Sequence, residues 1–229
     1  MPQDLSNLDA VAVINGFKAG SLTPAGYAEA LADRAAQHSS LNALSSFDAD
    51  ALAQPATSAF DANPNGALAG LPMVAKDNIN TTTPPTTGGT GALQGHVTAT
   101  NAGVISQIAK AGGFVGAKSN MHELAFGITS NNAVTGAVRN PVDPALIPGG
   151  SSGGTAAAVA AGIFPLGLGT DTGGSCRIPA ALCGIVGFRP TTGRYSSDGV
   201  LPLTPTRDPV GPLARSVQDV AKMELGRAS

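Results

Sequence analysis

The segment GTAAAVAAG, residues 154–162, has the strongest influence on how this chain can fold. Its spacing predicts a helix, yet it contains no charged side chain, and Thr155 is its one polar residue outside glycine. A helix without a polar face is expected to be buried on every side. The chain has 229 residues, enough for one large domain with a substantial core around such a helix.

Short apolar runs and helical patterns alternate along the rest of the chain from residue 67 onward. Helices are predicted in NAGVISQIAKAGG, GTAAAVAAG and CRIPAALCG, and strands in LAGLPMVAKDNI, FVGAKSN, FPLGLGTDTGG and GIVGFRPT. Strands that are apolar without alternation are typical of parallel sheets whose two faces are covered. We therefore predict an α/β fold with a mixed, largely parallel sheet covered on both faces by helices.

Residues 1–60 have a helical pattern. In LTPAGYAEALADRAAQ, Thr23 is the expected N-cap and Pro24 the first helical residue. Apolar positions then recur at helical spacing, at Ala25, Ala28, Leu31 and Ala35. We predict an N-terminal helical segment over residues 1–60 and an α/β core over residues 61–229, within one domain.

Composition and charge argue against several classes of protein. Hydrophobic residues make up 42% of the chain and charged residues 12%, with a net charge of −2 and no run of Lys or Arg. We therefore expect no nucleic acid and no membrane as partner. The start, MPQDLSNLDA, resembles no secretory signal, and Cys176 and Cys183 are read as buried, reduced thiols. The expected location is cytoplasmic.

The glycine-rich segment Gly149–Gly154 allows three interpretations. A flexible linker is disfavoured because the segment leads directly into the apolar helix. A P-loop is disfavoured because no lysine follows the glycines, and no clear strand precedes them as a dinucleotide fingerprint requires. The remaining interpretation is a sharply bent backbone that positions the hydroxyls of Ser151 and Ser152.

A serine nucleophile needs a base, and the histidines are weak candidates. Of His38, His96 and His122, only the last, in SNMHELAFG, is plausible, and no G-x-S-x-G elbow accompanies it. Neither cysteine pairs with a histidine at zinc-site spacing, so we expect no metal site. A cysteine nucleophile at Cys176 lacks a base in the same way.

Lys76 is the alternative base. It follows the apolar strand of LPMVAKDNI, where burial would lower its pKa from about 10.4 and make neutral amine available. The competing interpretation is an ordinary strand-end lysine with its ammonium group in water.

The second glycine cluster, GLGTDTGGSCRIPAALCG, places Ser175 at the start of a short predicted helix. Glycines before it let successive backbone N–H groups turn toward one point, as in an anion-binding nest or an oxyanion hole. The competing interpretation of the cluster is an ordinary turn. The residues concerned are Thr172, Gly173 and Gly174.

Three segments together, AKDN, PGGSSGGTAAAVA and GLGTDTGGSCRIPAALCGIVGFRPT, closely resemble the amidase signature family of Ser–Ser–Lys amide hydrolases. Lys76 lies 75 residues before Ser151, and Ser175 lies 24 residues after it, as in that family. The resemblance covers about residues 60 to 221, and the helical start matches the family only in style.

The resemblance implies a role for each matching residue. Ser175 is the nucleophile, Ser151 is the bridging serine, and Lys76 is the base that takes a proton from Ser151 as Ser151 takes one from Ser175. Ser151 follows a cis peptide bond in the family, here Gly150–Ser151. An acyl-enzyme forms and water hydrolyses it, so neither a metal nor an organic cofactor is expected.

Supporting roles follow from the same resemblance. The backbone N–H groups of the Thr172–Ser175 turn receive the oxyanion, and Ser152 supports its own turn by hydrogen bonds. Asp171 and Arg177 match positions with supporting roles, and we interpret them as a structural ion pair. The oxyanion and support residues are thus Thr172, Gly173, Gly174 and Ser152.

The implied substrate is a small-molecule amide, hydrolysed to acid and ammonia. NMHELAFGITSNN and RNPVDPALIPGGSSGG look most like the branch that hydrolyses arylacetamides such as indoleacetamide and mandelamide. Biuret- and allophanate-type hydrolases share the core motifs and remain alternatives, as does the glutamine-using subunit of tRNA amidotransferases. The resemblance also leaves room for a homodimer.

Family members are longer than this chain, which stops in KMELGRAS where the apolar helical pattern fades. We therefore expect the core to be incomplete at its C-terminus. An inactive, truncated amidase-like protein that binds small molecules or a partner is the alternative of another class. We expect the Gly150–Ser151 bond to be cis in the complete fold, whereas loss of supporting sheet would favour the trans form.

Overall fold

The computed structural model of the protein describes residues 5–228. Residues 1–4 and 229, which belong to the predicted segments 1–60 and 61–229, lie outside the described residues. The helices are α1 (Ala10–Ala19), α2 (Pro24–Gln37), α3 (Ala53–Ala62), α4 (Gly103–Lys110), α5 (Gly153–Ala160), α6 (Arg177–Cys183) and α7 (Val217–Ala228). The strands are β1 (Leu44–Phe47), β2 (Pro72–Lys76), β3 (Phe114–Ser119), β4 (Leu166–Thr170), β5 (Val186–Gly187) and β6 (Val210–Ala214).

Within the described part of the chain, the six strands form one mixed sheet in the order β1-β3-β2-β4-β6-β5. β2 lies at its centre and runs parallel to both β3 and β4. The outer pairings, β1 with β3, β4 with β6 and β5 with β6, are antiparallel. The predicted α/β fold with a mixed sheet is confirmed, and its parallel part is confined to the three central strands.

Helix α5 is buried as its composition predicts. All residues from Gly153 to Val159 are buried. The helix approaches β4 closely at Gly167, where a Cβ atom would lie 2.5 Å from Thr155 Cγ2. On its other side, a Cβ atom on Gly154 would lie 2.2 Å from the carbonyl oxygen of Asn120. Glycine at both contacts therefore allows the helix to sit directly on the backbone of its neighbours.

The N-terminal helices form as expected and pack into the same core as the sheet. Thr23 Oγ1 accepts a hydrogen bond from Gly26 N at 3.1 Å, which confirms the predicted cap of α2. The inner face of α2 is buried, and α1 is tied to α7 where Val11 N donates to Asp219 Oδ1 at 3.1 Å. One hydrophobic cluster joins side chains of these helices to those of β2 and β4.

The segment 1–60 is not entirely helical, because it also contains β1. This strand, LSSF, forms the edge of the sheet next to β3. Its two serines interrupt any apolar run, and an edge strand does not need apolar side chains on both faces. The sequence pattern therefore gave no signal for it.

Two further observations bear on the sequence interpretation. Cys176 and Cys183 are buried free thiols, as predicted. Among residues 5–228, no helix combines the length and the apolar composition that crossing a bilayer requires.

Replacing Gly154 by alanine tests the close packing of α5. The new methyl group would meet the backbone oxygens of Asn120 and Ala43 at 2.2 and 2.5 Å, and backbone cannot move aside cheaply. We expect Gly154→Ala to lower the free energy of unfolding by roughly 1–3 kcal/mol or more, measured by urea denaturation. Gly91→Ala is the matched control, because its Cβ would meet nothing within 4 Å. Equal stability of the two variants would contradict this packing.

Candidate active site

The candidate site lies at the end of the central parallel strands. Lys76 is the last residue of β2 and Thr170 the last of β4, its parallel neighbour. Parallel strands bring their carboxyl ends to the same edge of a sheet, which is where ligands bind in open α/β folds. Lys76 Nζ donates to Ser151 Oγ and to Thr170 Oγ1, each at 2.7 Å. Lys76 and Ser151 are completely buried.

Burial sets the protonation of Lys76. Removal of the amine from water lowers its pKa from 10.5 to about 7, although the nearby groups of Cys176, Asp171 and Asp208 act in the opposite direction. Within residues 5–228, no carboxylate forms an ion pair with Lys76. A large fraction of the side chain is therefore neutral amine near neutral pH, and this excludes the interpretation as a strand-end lysine in water.

Ser151 is presented by an unusual backbone bend. The Gly150–Ser151 peptide bond is cis, as the resemblance implied, and not trans as expected for a chain with less supporting sheet. The carbonyl oxygen of Ser151 accepts a hydrogen bond from His122 N at 3.1 Å. Gly149 has a φ of +82°, in the region that favours glycine. The bend therefore aims the hydroxyl of Ser151 at Lys76.

Ser175 lies beside this bend, in the turn between β4 and α6. Its carbonyl oxygen accepts a hydrogen bond from Ser152 N at 3.2 Å, which joins the two glycine-rich segments. The side chain of Ser152 makes further hydrogen bonds to the backbone of Thr170, in keeping with its expected supporting role. In the described chain, Ser175 Oγ makes no hydrogen bond, so the structure brings Lys76 to Ser151 but does not join Ser151 to Ser175.

The carboxylate of Asp171 fixes the shape of this turn. It accepts hydrogen bonds from the backbone N–H groups of Gly174 (2.7 Å), Cys176 (3.2 Å) and Arg177 (3.3 Å). It also pairs with Arg177 Nε at 3.0 Å and with Arg189 Nε at 3.4 Å. Burial raises the pKa of Asp171, but the bonds from Arg177, Cys176 and Gly174 outweigh it and hold the pKa below its usual value. The interpretation of Asp171 and Arg177 as a structural ion pair agrees with these contacts.

These contacts show which backbone N–H groups of the turn already have an acceptor. The N–H group of Gly174 is committed to Asp171, because the carboxylate lies on that side of the turn. In the described chain, the N–H groups of Thr172, Gly173 and Ser175 make no hydrogen bond and remain as donors. Gly173 faces open space, since a Cβ atom there would meet nothing within 4 Å.

A second carboxylate, that of Asp208, holds the outer side of the same turn. Asp208 Oδ1 accepts a hydrogen bond from Thr172 Oγ1 at 2.5 Å. Its other oxygen accepts from Leu203 N at 2.7 Å and from Thr204 N at 2.6 Å. One carboxylate thus connects the loop at residues 203–208 to the turn that holds Ser175.

The histidines and cysteines do not supply a second set of reacting groups. His122 contacts Ser151 through its backbone, while its ring Nδ1 lies 3.3 Å from Thr129 Oγ1. Burial raises the pKa of Cys176 to about 12, so its thiol stays protonated. Among residues 5–228, no three histidine, cysteine, aspartate or glutamate side chains lie together as a metal site would require.

Two buried pairs of polar side chains near Lys76 were not predicted from the sequence. Thr170 Oγ1, which accepts from Lys76, also accepts from Asn78 Nδ2 at 3.2 Å. Lys118 and Asp77 form a second buried pair, with Nζ and Oδ1 3.8 Å apart. The available signals were polar residues at strand ends, in AKDN and GLGT, and a lysine inside the apolar run FVGAKS.

Known proteins resemble this chain over most of its length. Residues 27–224 match the family model described as Amidase. Indoleacetamide hydrolase of Rhizobium radiobacter is 50% identical over 198 residues, which are 86% of this chain and 42% of that protein. Mandelamide hydrolase of Pseudomonas putida is 47% identical over 206 residues, covering 86% of this chain and 40% of the relative. The chain thus spans less than half the length of these curated relatives.

Solved structures give the same result for the fold. A crystal structure of an amidase superimposes with a TM-score of 0.88 at 39% sequence identity. The match covers 97% of this chain and 52% of that one.

Replacing Lys76 by methionine tests its protonation in the folded state. The pKa of Lys76 is about 7 when folded and 10.5 as an ordinary lysine, so the unfolded chain carries one more proton between these values. The free energy of unfolding should therefore rise by about 1.4 kcal/mol per pH unit in this window through Lys76 alone. We expect the free energy of unfolding of the wild type, minus that of Lys76→Met, to increase as the pH rises from 7 to 10. Urea denaturation at each pH measures both values.

The exposed Lys110 of α4 provides the control. The free energy of unfolding of Lys110→Met should change with pH in parallel with that of the wild type over the whole range. Parallel curves for wild type and Lys76→Met would show instead that Lys76 keeps its proton in the folded protein.

Proposed function

The chain belongs to the amidase family, and from this premise we propose that it hydrolyses a carboxylic amide to the acid and ammonia. The observation that carries the proposal is the 2.7 Å hydrogen bond between Lys76 Nζ and Ser151 Oγ. Both groups are fully buried, and Ser175, whose carbonyl oxygen accepts a hydrogen bond from Ser152 N, has 7% of its residue surface exposed. A buried amine, a relay hydroxyl and an accessible hydroxyl are the parts that a serine amidase needs.

The first step is the activation of Ser175. Neutral Lys76 accepts the proton of Ser151 as Ser151 accepts that of Ser175, and Ser175 Oγ forms a bond to the amide carbon. Substrate binding has to bring the two serine hydroxyls into hydrogen-bond contact, because geometry of this kind often tightens only in the complex with substrate. The backbone hydrogen bond from Ser152 N to the carbonyl oxygen of Ser175 already keeps the two glycine-rich segments adjacent.

The tetrahedral intermediate places a negative charge on the former carbonyl oxygen. The N–H groups of Gly173 and Ser175, together with that of Thr172, are the donors we propose for this oxyanion. Asp171 keeps the turn in one shape, so the donors need no rearrangement as charge develops.

Collapse of the intermediate breaks the carbon–nitrogen bond. The proton held by Lys76 returns through Ser151 to the nitrogen, which leaves as ammonia, and an ester to Ser175 remains. Water then attacks this acyl-enzyme with the same base, and the acid is released. Every proton is accounted for by Lys76, the two serines and water, so no step requires a metal or an organic cofactor.

For the substrate class, we propose a primary amide with an aryl group near the carbonyl. The relatives reported above are named for indoleacetamide and mandelamide, both of which are amides of this kind. The backbone of Ile128 lies beside the bend, since a Cβ atom on Gly150 would be 2.9 Å from the carbonyl carbon of Ile128. Ile128 and nearby Phe126 are 57% and 79% exposed, and such surface suits an aromatic ring.

The nucleophile is tested by replacing Ser175 with alanine. Release of ammonia from indoleacetamide and from mandelamide should fall by about 10³-fold or more, because no other hydroxyl can form the ester. Ser58→Ala, on the exposed face of α3, should keep wild-type turnover. Undiminished turnover by Ser175→Ala would refute the mechanism, and a wild-type chain that binds both amides without releasing ammonia would be a binding protein instead.

The base is tested by Lys76→Arg. A guanidinium cannot accept a proton at working pH, so the variant should be inactive while keeping a positive charge at the site. In the wild type, kcat/KM should rise with pH through the pKa of Lys76 at about 7 and then level off. Lys110→Arg should reproduce the wild-type profile, whereas an active Lys76→Arg enzyme would remove Lys76 from the mechanism.

A further inference from the structure

Thr170 joins two hydrogen bonds immediately behind Lys76. Its Oγ1 accepts from Lys76 Nζ at 2.7 Å and from Asn78 Nδ2 at 3.2 Å. Lys76, Asn78 and Thr170 each expose 2% of their surface or less. The other end of the Asn78 carboxamide, Oδ1, is buried and has no hydrogen-bond partner. The chain Asn78–Thr170–Lys76–Ser151 is therefore isolated from water and leaves one acceptor unused.

The number of protons in this hydrogen-bonded series of side chains decides whether Lys76 can accept the proton of Ser151. A threonine hydroxyl has one proton and two lone pairs. With Lys76 as an ammonium, both lone pairs of Thr170 accept, from Lys76 and from Asn78. The hydroxyl proton of Thr170 then has no acceptor among the described residues, because Asn78 presents its donor Nδ2 to Thr170 and not its acceptor Oδ1.

Loss of a proton from Lys76 changes this balance. The neutral amine has a single lone pair, and Nζ becomes the acceptor nearest to the hydroxyl proton of Thr170. A bond from Thr170 to Nζ would occupy that lone pair and leave none for the proton of Ser151. With Asn78 in the observed orientation, Lys76 would be neutral but ineffective as a base.

A half-turn of the Asn78 carboxamide removes the conflict. It exchanges Nδ2 with Oδ1, so that Thr170 donates to Oδ1 and accepts from an N–H of Lys76. The lone pair of Nζ is then free to face Ser151. The turn breaks a single side-chain hydrogen bond and re-forms it with the opposite direction, because Oδ1 has no partner to lose.

Resting on the proposed role of Lys76 as base, we infer that Asn78 and Thr170 are positioning residues that direct its lone pair toward Ser151. The carboxamide of Asn78 turns when Lys76 loses its proton. The backbone stays in place meanwhile, since the carbonyl oxygen of Asn78 accepts from Leu201 N at 2.8 Å. Asn78 acts through Thr170 and Lys76, and it contacts neither Ser151 nor Ser175 through any hydrogen bond of the described chain.

Substitutions of Asn78 separate this role from simple support of the fold. Asn78→Leu leaves Thr170 with Lys76 as its acceptor, so kcat for mandelamide should fall about tenfold to a hundredfold with KM unchanged. Asn78→Asp presents an oxygen to Thr170 in every orientation, so it should retain most of the turnover. Its negative charge should move the pH profile of kcat/KM to higher pH, because it favours the ammonium form of Lys76.

Substitutions of Thr170 provide the second arm. Thr170→Val removes the hydroxyl that stabilises the ammonium form, so the pH profile should move to lower pH as kcat falls. Thr170→Ser keeps the hydroxyl and should restore both kcat and the profile. Thr192→Val, at an exposed position, is the matched control and should change neither.

Titration of Lys76 Nζ by ¹⁵N NMR gives a readout that needs no catalysis. The inference requires a lower pKa in Thr170→Val and a higher one in Asn78→Asp than in wild type. If these shifts occur while the wild type hydrolyses no amide, the coupling of Asn78 and Thr170 to the proton of Lys76 holds and the proposed function fails. If the wild type is active but Asn78→Leu keeps its kcat, or both Asn78 variants lose activity equally with Lys76 titrating as in wild type, the inference is overturned. Should an Asn78 variant not fold, the Thr170→Val and Thr170→Ser pair decides in the same way.

Discussion

The amine of Lys76 is buried at the end of the central strand, no carboxylate of the described residues forms an ion pair with it, and the rest of the candidate site is arranged around it. Burial of an unpaired ammonium is costly and lowers the pKa of Lys76 to about 7, so the neutral amine and the ammonium are both populated near neutral pH. Its hydrogen-bond partners are hydroxyls, those of Ser151 and Thr170. Exclusion from solvent therefore dominates the pKa of Lys76, and the nearby charges of Asp171 and Asp208 oppose it only in part.

The neighbouring strand β3 carries a buried lysine that does have a carboxylate partner. Lys118 on β3 is also buried, but it lies 3.8 Å from Asp77 and donates to Thr86 Oγ1 at 2.9 Å and to the carbonyl oxygen of Ile79. Burial lowers the pKa of Lys118 to about 8, with Asp77 acting against the shift. Lys118 is in register with Ala75, so the two lysines lie on opposite faces of the sheet. Lys118 therefore secures the loop after β2, while Lys76 contacts the hydroxyls of the candidate site.

Much of this arrangement could be predicted from the sequence, because local patterns carried it. Apolar runs gave the central strands, the uncharged run gave buried α5, and Thr23 and Pro24 gave the start of α2. The resemblance to the amidase signature family predicted the contact between Lys76 and Ser151. Where local pattern and tertiary position coincide, one sequence is sufficient.

The features that were missed depend on partners far apart in the chain. β1 is a strand because β3 offers it an edge, and LSSF alone does not indicate this. The N–H of Gly174 belongs to Asp171 because the turn folds back on that carboxylate, which composition cannot show. Thr170 and Asn78 are 92 residues apart and come together because β4 pairs with β2, which Asn78 follows in the chain. Such contacts are properties of the assembled sheet.

The carboxylate of Asp208 gives the site a mechanical link to its surroundings. It holds the backbone of Leu203 and Thr204 on one side and the hydroxyl of Thr172 on the other. A displacement of the loop at residues 203–208 is therefore transmitted to the turn that carries Ser175, without passing through Lys76 or Ser151.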